Sequence, residues 1–311
     1  MPEFFRIGKG SKPLKIGVAG CGGAGCNSLK FVAGHLGIQT FALNGNPRKG
    51  LEKLAMRSML VPAHELLGAS DTDPRIPVVP YLRSASALAS EISGIDVFFS
   101  VCGLGGNSGW CCAALASRVA REAGALSVCV AIFPFSVEAQ ARRAAALNQA
   151  KNLRSLCDGL LVLHNDRISR IAPKLPFLHA MEIVSELALL VPHELAAAGT
   201  TGDVPALKSV FSRTPYLKAD VATADGMNNG FKLARALVGS DWMDVDAKRI
   251  KSALLLVGSS GKGGEAEDAA AELRNSVPNL VVLALGGSGA AKPGERNVRA
   301  CAVFGMEGEL H

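Results

Sequence analysis

Two glycine-rich loops, each directly after an apolar segment, are the parts of this chain best suited to bind an anion. The first reads GCGGAGCN from Gly20 to Asn27, and the second reads GLGGNSG from Gly103 to Gly109. Because side chains are absent, the backbone N–H groups of such a loop can close on an anion, and a following helix N-terminus adds a positive dipole. One loop is typical of a generic phosphate or dinucleotide site, whereas two predict a polyphosphate gripped from two sides.

The elements that must position these loops alternate between short apolar strands and helices. Strands are predicted at 15–19, 38–43, 58–61, 96–101, 126–133 and 160–163, and helices at 27–34, 84–92, 110–123 and 137–152. The Asp, Pro and Gly residues of 68–80 predict a surface loop. This alternation indicates a Rossmann-like, doubly wound parallel sheet.

The second half of the chain has a different pattern. An apolar rhythm over 177–198 predicts a long central helix that Pro192 kinks. Helices at 229–237 and 265–275 and strands at 252–257, 280–285 and 298–304 follow. We therefore expect an α/β fold with a nucleotide-binding domain (1–174), a central helix and loop (175–202) and a smaller α+β C-terminal domain (203–311).

Composition and charge exclude several classes of protein. The 311 residues are 49% hydrophobic and carry a net charge of +6, but the basic residues are scattered, so no nucleic-acid partner is expected. The eight cysteines form no CxxC pair and no Cys/His ligand spacing, so we predict no metal site and reduced, packed thiols. No secretory leader and no long uncharged apolar run is present, which predicts a cytoplasmic protein without a direct membrane anchor.

A literal GxGxxG match in the first loop leaves one alternative open, an NAD(P)-dependent Rossmann oxidoreductase. That class needs an acidic residue at the end of the second strand to hold a ribose. Here the strand ends in Leu43-Asn44-Gly45-Asn46, which contains no carboxylate. The alternative also gives the second loop no role.

The order of motifs along the chain resembles that of FtsZ and tubulin, the filament-forming GTPases. GCGGAGCN is similar to the first nucleotide loop of archaeal-type FtsZ, and GLGGNSGWC lies where the family carries GGGTGTG. Between them, ALNGN lies where the family has an AxNTD-like strand end. Pro134 to Glu138, with Arg142, resembles PFxxEGxxR, and Leu163 to Arg167 resembles (I/V)PND(K/R). The resemblance spans 15–304.

The resemblance implies a GTP/GDP site, with Mg²⁺ as a candidate accompanying ion. It assigns phosphate contacts to residues of both loops, namely Gly20, Gly22, Gly23, Ala24, Asn27, Gly105, Gly106, Asn107, Ser108 and Gly109. It also implies that Glu138 accepts from the ribose, that Arg142 lies near the nucleotide, that Asn165 reads a guanine edge and that Phe177 stacks on the ring.

One departure from the family concerns the base. Met181 stands where the family often has an Asp or Asn that pairs with guanine, so we expect a weakened preference for guanine over adenine. Glu182 is the next residue, but it is expected to point about 100° away on a helix.

A second departure concerns hydrolysis. The family's synergy loop, NxDxxD, supplies two carboxylates to the site of the next subunit. Here Asp203 keeps the first and is the residual catalytic candidate, whereas Ala206 replaces the second. The resemblance thus implies head-to-tail association with itself or another FtsZ-like subunit, and GTPase activity that is weak or needs a partner subunit.

Overall fold

The computed structural model describes residues 13–35, 37–47, 50, 53–66, 82–198, 204–225, 228–258, 264–277, 280–287 and 298–310. The chain divides into two compact units, which centre on Lys15–Leu189 and Leu190–Glu309. The predicted α/β class, with a Rossmann-like core and a smaller second domain, is confirmed. Within the described ranges, no helix is long and apolar enough to cross a bilayer.

The first unit contains a parallel sheet. Its strands run in the order β3-β2-β1-β4-β5-β6, and every pair is parallel. The central strands are buried on both faces, which explains why they read as unbroken apolar runs. Their bounds are β1 Ile16–Cys21, β2 Ile38–Asn44, β3 Arg57–Leu60, β4 Val97–Gly103, β5 Leu126–Phe133 and β6 Gly159–His164.

The helices of this unit begin earlier or later than predicted. Helix α1 (Gly22–Ser28) starts inside the first glycine loop instead of at 27, because Gly22 adopts a φ of 68° that turns the chain directly out of β1. A 3₁₀ turn, Leu29–Phe31, extends it. The remaining helices are α2 Arg83–Glu91, α3 Asn107–Glu122, α4 Gln140–Leu156 and α5 Asn165–Ile171. The loop predicted at 68–80 lies outside the described residues.

The prediction of one long central helix is wrong in detail. Helix α6 covers Phe177–Leu187, and a separate helix α7 covers Leu190–Ala197. Pro192 has no N–H to donate to the carbonyl of Ala188, so the hydrogen-bond ladder stops where a kink was expected.

The second unit contains a mixed sheet in the order β7-β10-β8-β9. Strand β10 is antiparallel to β7 and β8, whereas β8 and β9 are parallel. Strand β7 was not predicted from sequence. The bounds are α8 Val204–Phe211, β7 Tyr216–Ala224, α9 Asn229–Val238, β8 Ile250–Gly258, α10 Glu265–Ser276, β9 Val281–Gly287 and β10 Val298–Met306.

Candidate functional site

The two glycine loops lie against each other at the carboxyl edge of the parallel sheet. Strands β1 and β4 are neighbours, with Cys21 opposite Cys102, so the loops that follow them start side by side. A Cβ built on Gly22 would lie 2.5 Å from the Cα of Gly109. The order 3-2-1-4-5-6 reverses direction between β1 and β4, and open α/β sheets bind ligands at such a switch point.

The glycines of the loops fall into two groups by what surrounds them. A Cβ on Gly20 would lie 2.5 Å from the carbonyl oxygen of Gly25, and one on Gly25 would collide with the carbonyl of Val101. These glycines are therefore required by backbone packing. By contrast, a Cβ on Gly23 or Gly106 would meet no protein atom within 4 Å. Both positions border open space, which is where a ligand could approach the backbone.

Helix α3 presents its N-terminus to this space. It is 16 residues long, its N-cap is Gly106, and no side chain caps it. The first amides of a helix have no partner within the helix, and the helix dipole places positive charge there. The amides of Asn107 and Ser108 thus belong to the helical turn that favours an anion.

The backbone of the second loop is held by Gln149, a buried residue of α4 that sequence reasoning missed. The Gly105 amide donates to Gln149 Oε1 at 2.7 Å, and Gln149 Nε2 donates to the Gly106 carbonyl at 3.1 Å. The Gly105 amide thus donates to Gln149 in this structure, and its phosphate contact stays a prediction. Gly105 itself has a φ of 84°, and a Cβ there would collide with Arg142.

We expect Gln149→Leu to lower both the stability of the fold and the affinity for a triphosphate. The substitution removes two hydrogen bonds and leaves the Gly105 amide without a partner, which costs about 1–3 kcal/mol. Thermal unfolding, with and without GTP, measures both effects. Asn148→Leu, at the exposed neighbouring position, is the matched control. Equal melting temperatures for the two variants would contradict the role of Gln149.

Asn44, at the end of β2, fixes the start of α3. Ser108 Oγ donates to Asn44 Oδ1 at 2.9 Å and accepts from the Gly45 amide at 2.9 Å. The ALNGN strand end therefore positions the second loop. An oxidoreductase of the Rossmann type would need a ribose-binding carboxylate at this strand end. The side chain here is the amide of Asn44, which accepts a hydrogen bond from Ser108.

A hydrogen bond joins the segment that contains Glu138 to the segment that contains Asn165. Glu138 accepts from the Phe135 amide at 2.8 Å and pairs with Arg142 at 3.1 Å. Asp166 Oδ1 accepts from the Ser136 amide at 2.8 Å. Glu138 and Arg142 thus form one ion pair, whose remaining lone pairs and N–H groups are available to further partners.

Asn165 and Phe177 have features that suit ligand contact. Asn165 is 4% exposed, and its Oδ1 is buried without a hydrogen-bond partner. A buried, unpaired amide oxygen is costly, and a donor from a ligand would satisfy it. Phe177 is 63% exposed at the start of α6, with its ring 5.4 Å from that of Phe135.

A cavity of about 500 Å³ lies between the first loop and α6. Ala24 and Asn27 line it from the loop side, and Met181 and Glu182 both line it from α6. Glu182 lines the same cavity as Met181, because two helix positions about 100° apart can both border a cavity of this width. The other lining residues are Lys30, Leu54, Leu178, His179 and Ser185.

The catalytic candidate Asp203 lies outside the described residues. Ala206 is described: it is the third residue of α8 and is 4% exposed. Among the residues that the structure describes, no group of three or more His, Cys, Asp or Glu side chains could hold a metal ion.

The eight cysteines are all free and buried, as predicted. Several lie directly beneath the loops, and burial raises the pKa of Cys112 to about 12. The Cys112 thiol is therefore protonated at neutral pH, and the buried cysteines pack as small apolar side chains.

The fold and the site define a parallel α/β protein whose ligand space opens between two glycine loops at the switch point of the sheet. Comparisons with known proteins show which family within this class the chain resembles. Residues 81–173 match the Tubulin/FtsZ family, GTPase domain. Cell division protein FtsZ 1 of Archaeoglobus fulgidus is 30% identical over 250 residues, which cover 78% of this chain and 68% of that protein. The chain therefore belongs to the tubulin/FtsZ family.

Further relatives agree with this assignment. Cell division protein FtsZ 1 of Pyrococcus horikoshii is 27% identical over 263 residues, covering 82% of this chain and 70% of that protein. Among solved structures, an empty FtsZ dimer from M. jannaschii has a TM-score of 0.76 at 24% identity, covering 95% of this chain and 88% of that chain. The GTPγS-bound CetZ2 protofilament from Haloferax volcanii has a TM-score of 0.72 at 17% identity, covering 94% of this chain and 93% of that chain. None of these proteins is described as an oxidoreductase.

Proposed function

We propose that this chain is an FtsZ-like cytoskeletal protein of the cytoplasm that binds GTP or GDP between its two glycine loops. The observation that carries the proposal is that the loops meet at Gly22 and Gly109, that Gly23 and Gly106 each border open space, and that no side chain caps the N-terminus of α3 beside Gly106. An anion placed there would accept from backbone amides and lie on the axis of a 16-residue helix.

The remaining site residues have proposed roles in the same complex. The phosphates are bound by the loop backbones, chiefly by the amides at the start of α3. Glu138 accepts from the ribose hydroxyls, with Arg142 as its ion-pair partner. Asn165 uses its unpaired oxygen toward the base, and the exposed ring of Phe177 stacks on it. A Mg²⁺ ion would bind the oxygens of the triphosphate, while the protein contributes backbone amides to the same phosphates.

The same family membership supports a proposal of self-association. We propose head-to-tail contact with a second copy, or with another FtsZ-like subunit, in which the loop containing Asp203 meets the next nucleotide site. Such a heterologous contact produces a filament when its rotation does not close a ring. The CetZ2 neighbour, which is described as a protofilament, supports this arrangement.

The direct test is to identify what the protein binds. Purified protein is denatured and the released small molecules are weighed by mass spectrometry; GTP, ATP and NADPH are then titrated separately into nucleotide-free protein. We expect guanine nucleotide in the released fraction and saturable triphosphate binding. A 100-fold excess of GTP over its Kd should stabilise the fold by about 2.7 kcal/mol. NADPH binding without triphosphate binding would overturn the proposal in favour of an oxidoreductase.

A further inference from the structure

A tryptophan lies in the first turn of α3, next to the proposed phosphate site. Trp110 is the fourth residue of this helix, and its side chain is partly exposed. In the segment GGNSGWC it stands where the similar motif GGGTGTG has its second threonine. The large indole is therefore a feature of this chain, and the proposed roles of the other loop residues give it no task.

The neighbouring side positions of this turn are committed to the protein itself. Ser108 is hydrogen-bonded to Asn44 at the end of β2, and a Cβ on Gly109 would lie 2.9 Å from the carbonyl oxygen of Gly103. Trp110 follows Ser108 by about 200° around the helix, so it lies on the side away from β2. Its indole makes no hydrogen bond and no ring contact with any residue that the structure describes.

Helical geometry directs this side chain toward the open end of α3. Side chains of a helix tilt toward its N-terminus, and a long one covers the turn before its own Cα. For Trp110 that turn contains Gly106 and Asn107, and Gly106 is the N-cap that borders open space. The rise from Gly106 to Trp110 is about 6 Å, which is within the reach of an indole side chain.

The chemistry of an indole suits a phosphate at this place. The indole N–H donates a hydrogen bond and accepts none, whereas an ionised phosphate oxygen accepts. A hydrogen bond to a charged acceptor is stronger than one between neutral groups. The Nε1 atom of Trp110 is not among the buried atoms that lack a partner, so its N–H is accessible to a ligand. The flat apolar ring also excludes water from the surface that it covers.

We propose that Trp110 retains the bound nucleotide. Its indole covers the phosphates on the side away from β2, and its N–H donates to a phosphate oxygen. This inference rests on the proposed nucleotide site and adds to it a wall that a threonine at the same position is too short to form. Slow release of nucleotide then becomes a specific property of this chain.

The first part of the test uses the emission of the two tryptophans, Trp110 and Trp242. In Trp242→Phe, Trp110 is the only tryptophan, so the emission reports on it alone. We expect GTP to change this emission saturably, with the same Kd that calorimetric titration gives. In Trp110→Phe, the emission of Trp242 should stay unchanged when GTP binds, because Trp242 lies in the other unit of the chain.

The second part of the test measures how fast nucleotide leaves. Protein loaded with radiolabelled GTP is chased with excess unlabelled GTP, and the remaining label is followed over time. Trp110→Phe keeps a ring but lacks the N–H, whereas Trp110→Thr lacks both; Trp242→Phe is the matched control. We expect Trp110→Phe to release GTP about tenfold faster, because a hydrogen bond to a charged group is lost. Trp110→Thr should be faster still, and Trp242→Phe should equal the wild type.

The outcomes separate this inference from the function on which it rests. If Trp242→Phe binds GTP in calorimetry without a change in emission, the indole does not contact the ligand, and the nucleotide site itself still stands. Release from Trp110→Thr at the wild-type rate would refute retention in the same way. If the wild type binds no triphosphate, both the site and the inference fail. Thermal unfolding without nucleotide checks that each variant is folded.

Discussion

Replacing Gly106 with tryptophan should abolish triphosphate binding while the protein stays folded. A Cβ at this position meets no protein atom within 4 Å, so the protein itself has room for a side chain. The indole would instead fill the space in front of the α3 amides, where the phosphates are proposed to lie. We expect the affinity for GTP to fall by more than about 100-fold, which corresponds to about 2.7 kcal/mol of binding free energy.

Two further substitutions make this prediction specific. Gly106→Ala adds only a methyl group and should weaken binding less than tryptophan does. Gly25→Ala should have the opposite profile, because its Cβ would collide with the Val101 carbonyl and unfold the protein more readily. Calorimetric titration measures binding, and thermal unfolding measures stability. Unchanged GTP and ATP affinity in Gly106→Trp would show that the triphosphate does not bind between the loops.

The parts of this molecule that could be predicted from sequence are those governed by local pattern. Strands of a parallel sheet are buried on both faces, so segments such as Leu126–Phe133 read as continuous apolar runs with clear ends. The glycine loops were also evident, because few other arrangements require so many glycines after a strand. Their meeting could be inferred once both were placed at the same sheet edge.

Other features depended on contacts between distant residues and could not be read locally. Gln149 holds Gly105 across 44 positions of sequence, and nothing in the helical pattern of α4 distinguishes it from its neighbours. Helical geometry alone placed Glu182 away from Met181, but it could not give the width of the cavity. Strand β7 alternates apolar and polar residues only in part, so its signal was weak.

The presence of a glycine does not by itself show whether the position serves the fold or faces a ligand. Gly20, Gly23 and Gly25 are all glycines of one loop, yet Gly20 and Gly25 pack against backbone and Gly23 borders open space. The distinction arises because α1 folds back over β4. It decides which substitutions test binding and which test folding.

Hydrolysis of GTP by the purified protein should be slow even at concentrations where it self-associates. Phosphoryl transfer depends on positioning of the attacking water and on electrostatics, so a missing water-orienting group costs orders of magnitude in rate. Ala206 supplies no such group, and Asp203 by itself can attract a water but cannot hold it in line from two directions. Any filament should therefore turn over slowly.

The expected gain of activity in Ala206→Asp is the sharpest test of this idea. Ala206 is buried, so a carboxylate there carries a desolvation cost, but it is the third residue of α8, where the helix dipole favours negative charge.

Phosphate release is measured against protein concentration for the wild type, Asp203→Ala, Ala206→Asp and Ala206→Asn, with thermal unfolding to confirm that each is folded. We expect Ala206→Asp to accelerate release by roughly tenfold or more, because a second carboxylate orients the water, and the uncharged isostere Ala206→Asn to have no effect. Fast, concentration-dependent release by the wild type that is lost in Asp203→Ala would refute the prediction, since one carboxylate would then suffice. A folded Ala206→Asp that is no faster than Ala206→Asn would show that position 206 does not face the site of the next subunit.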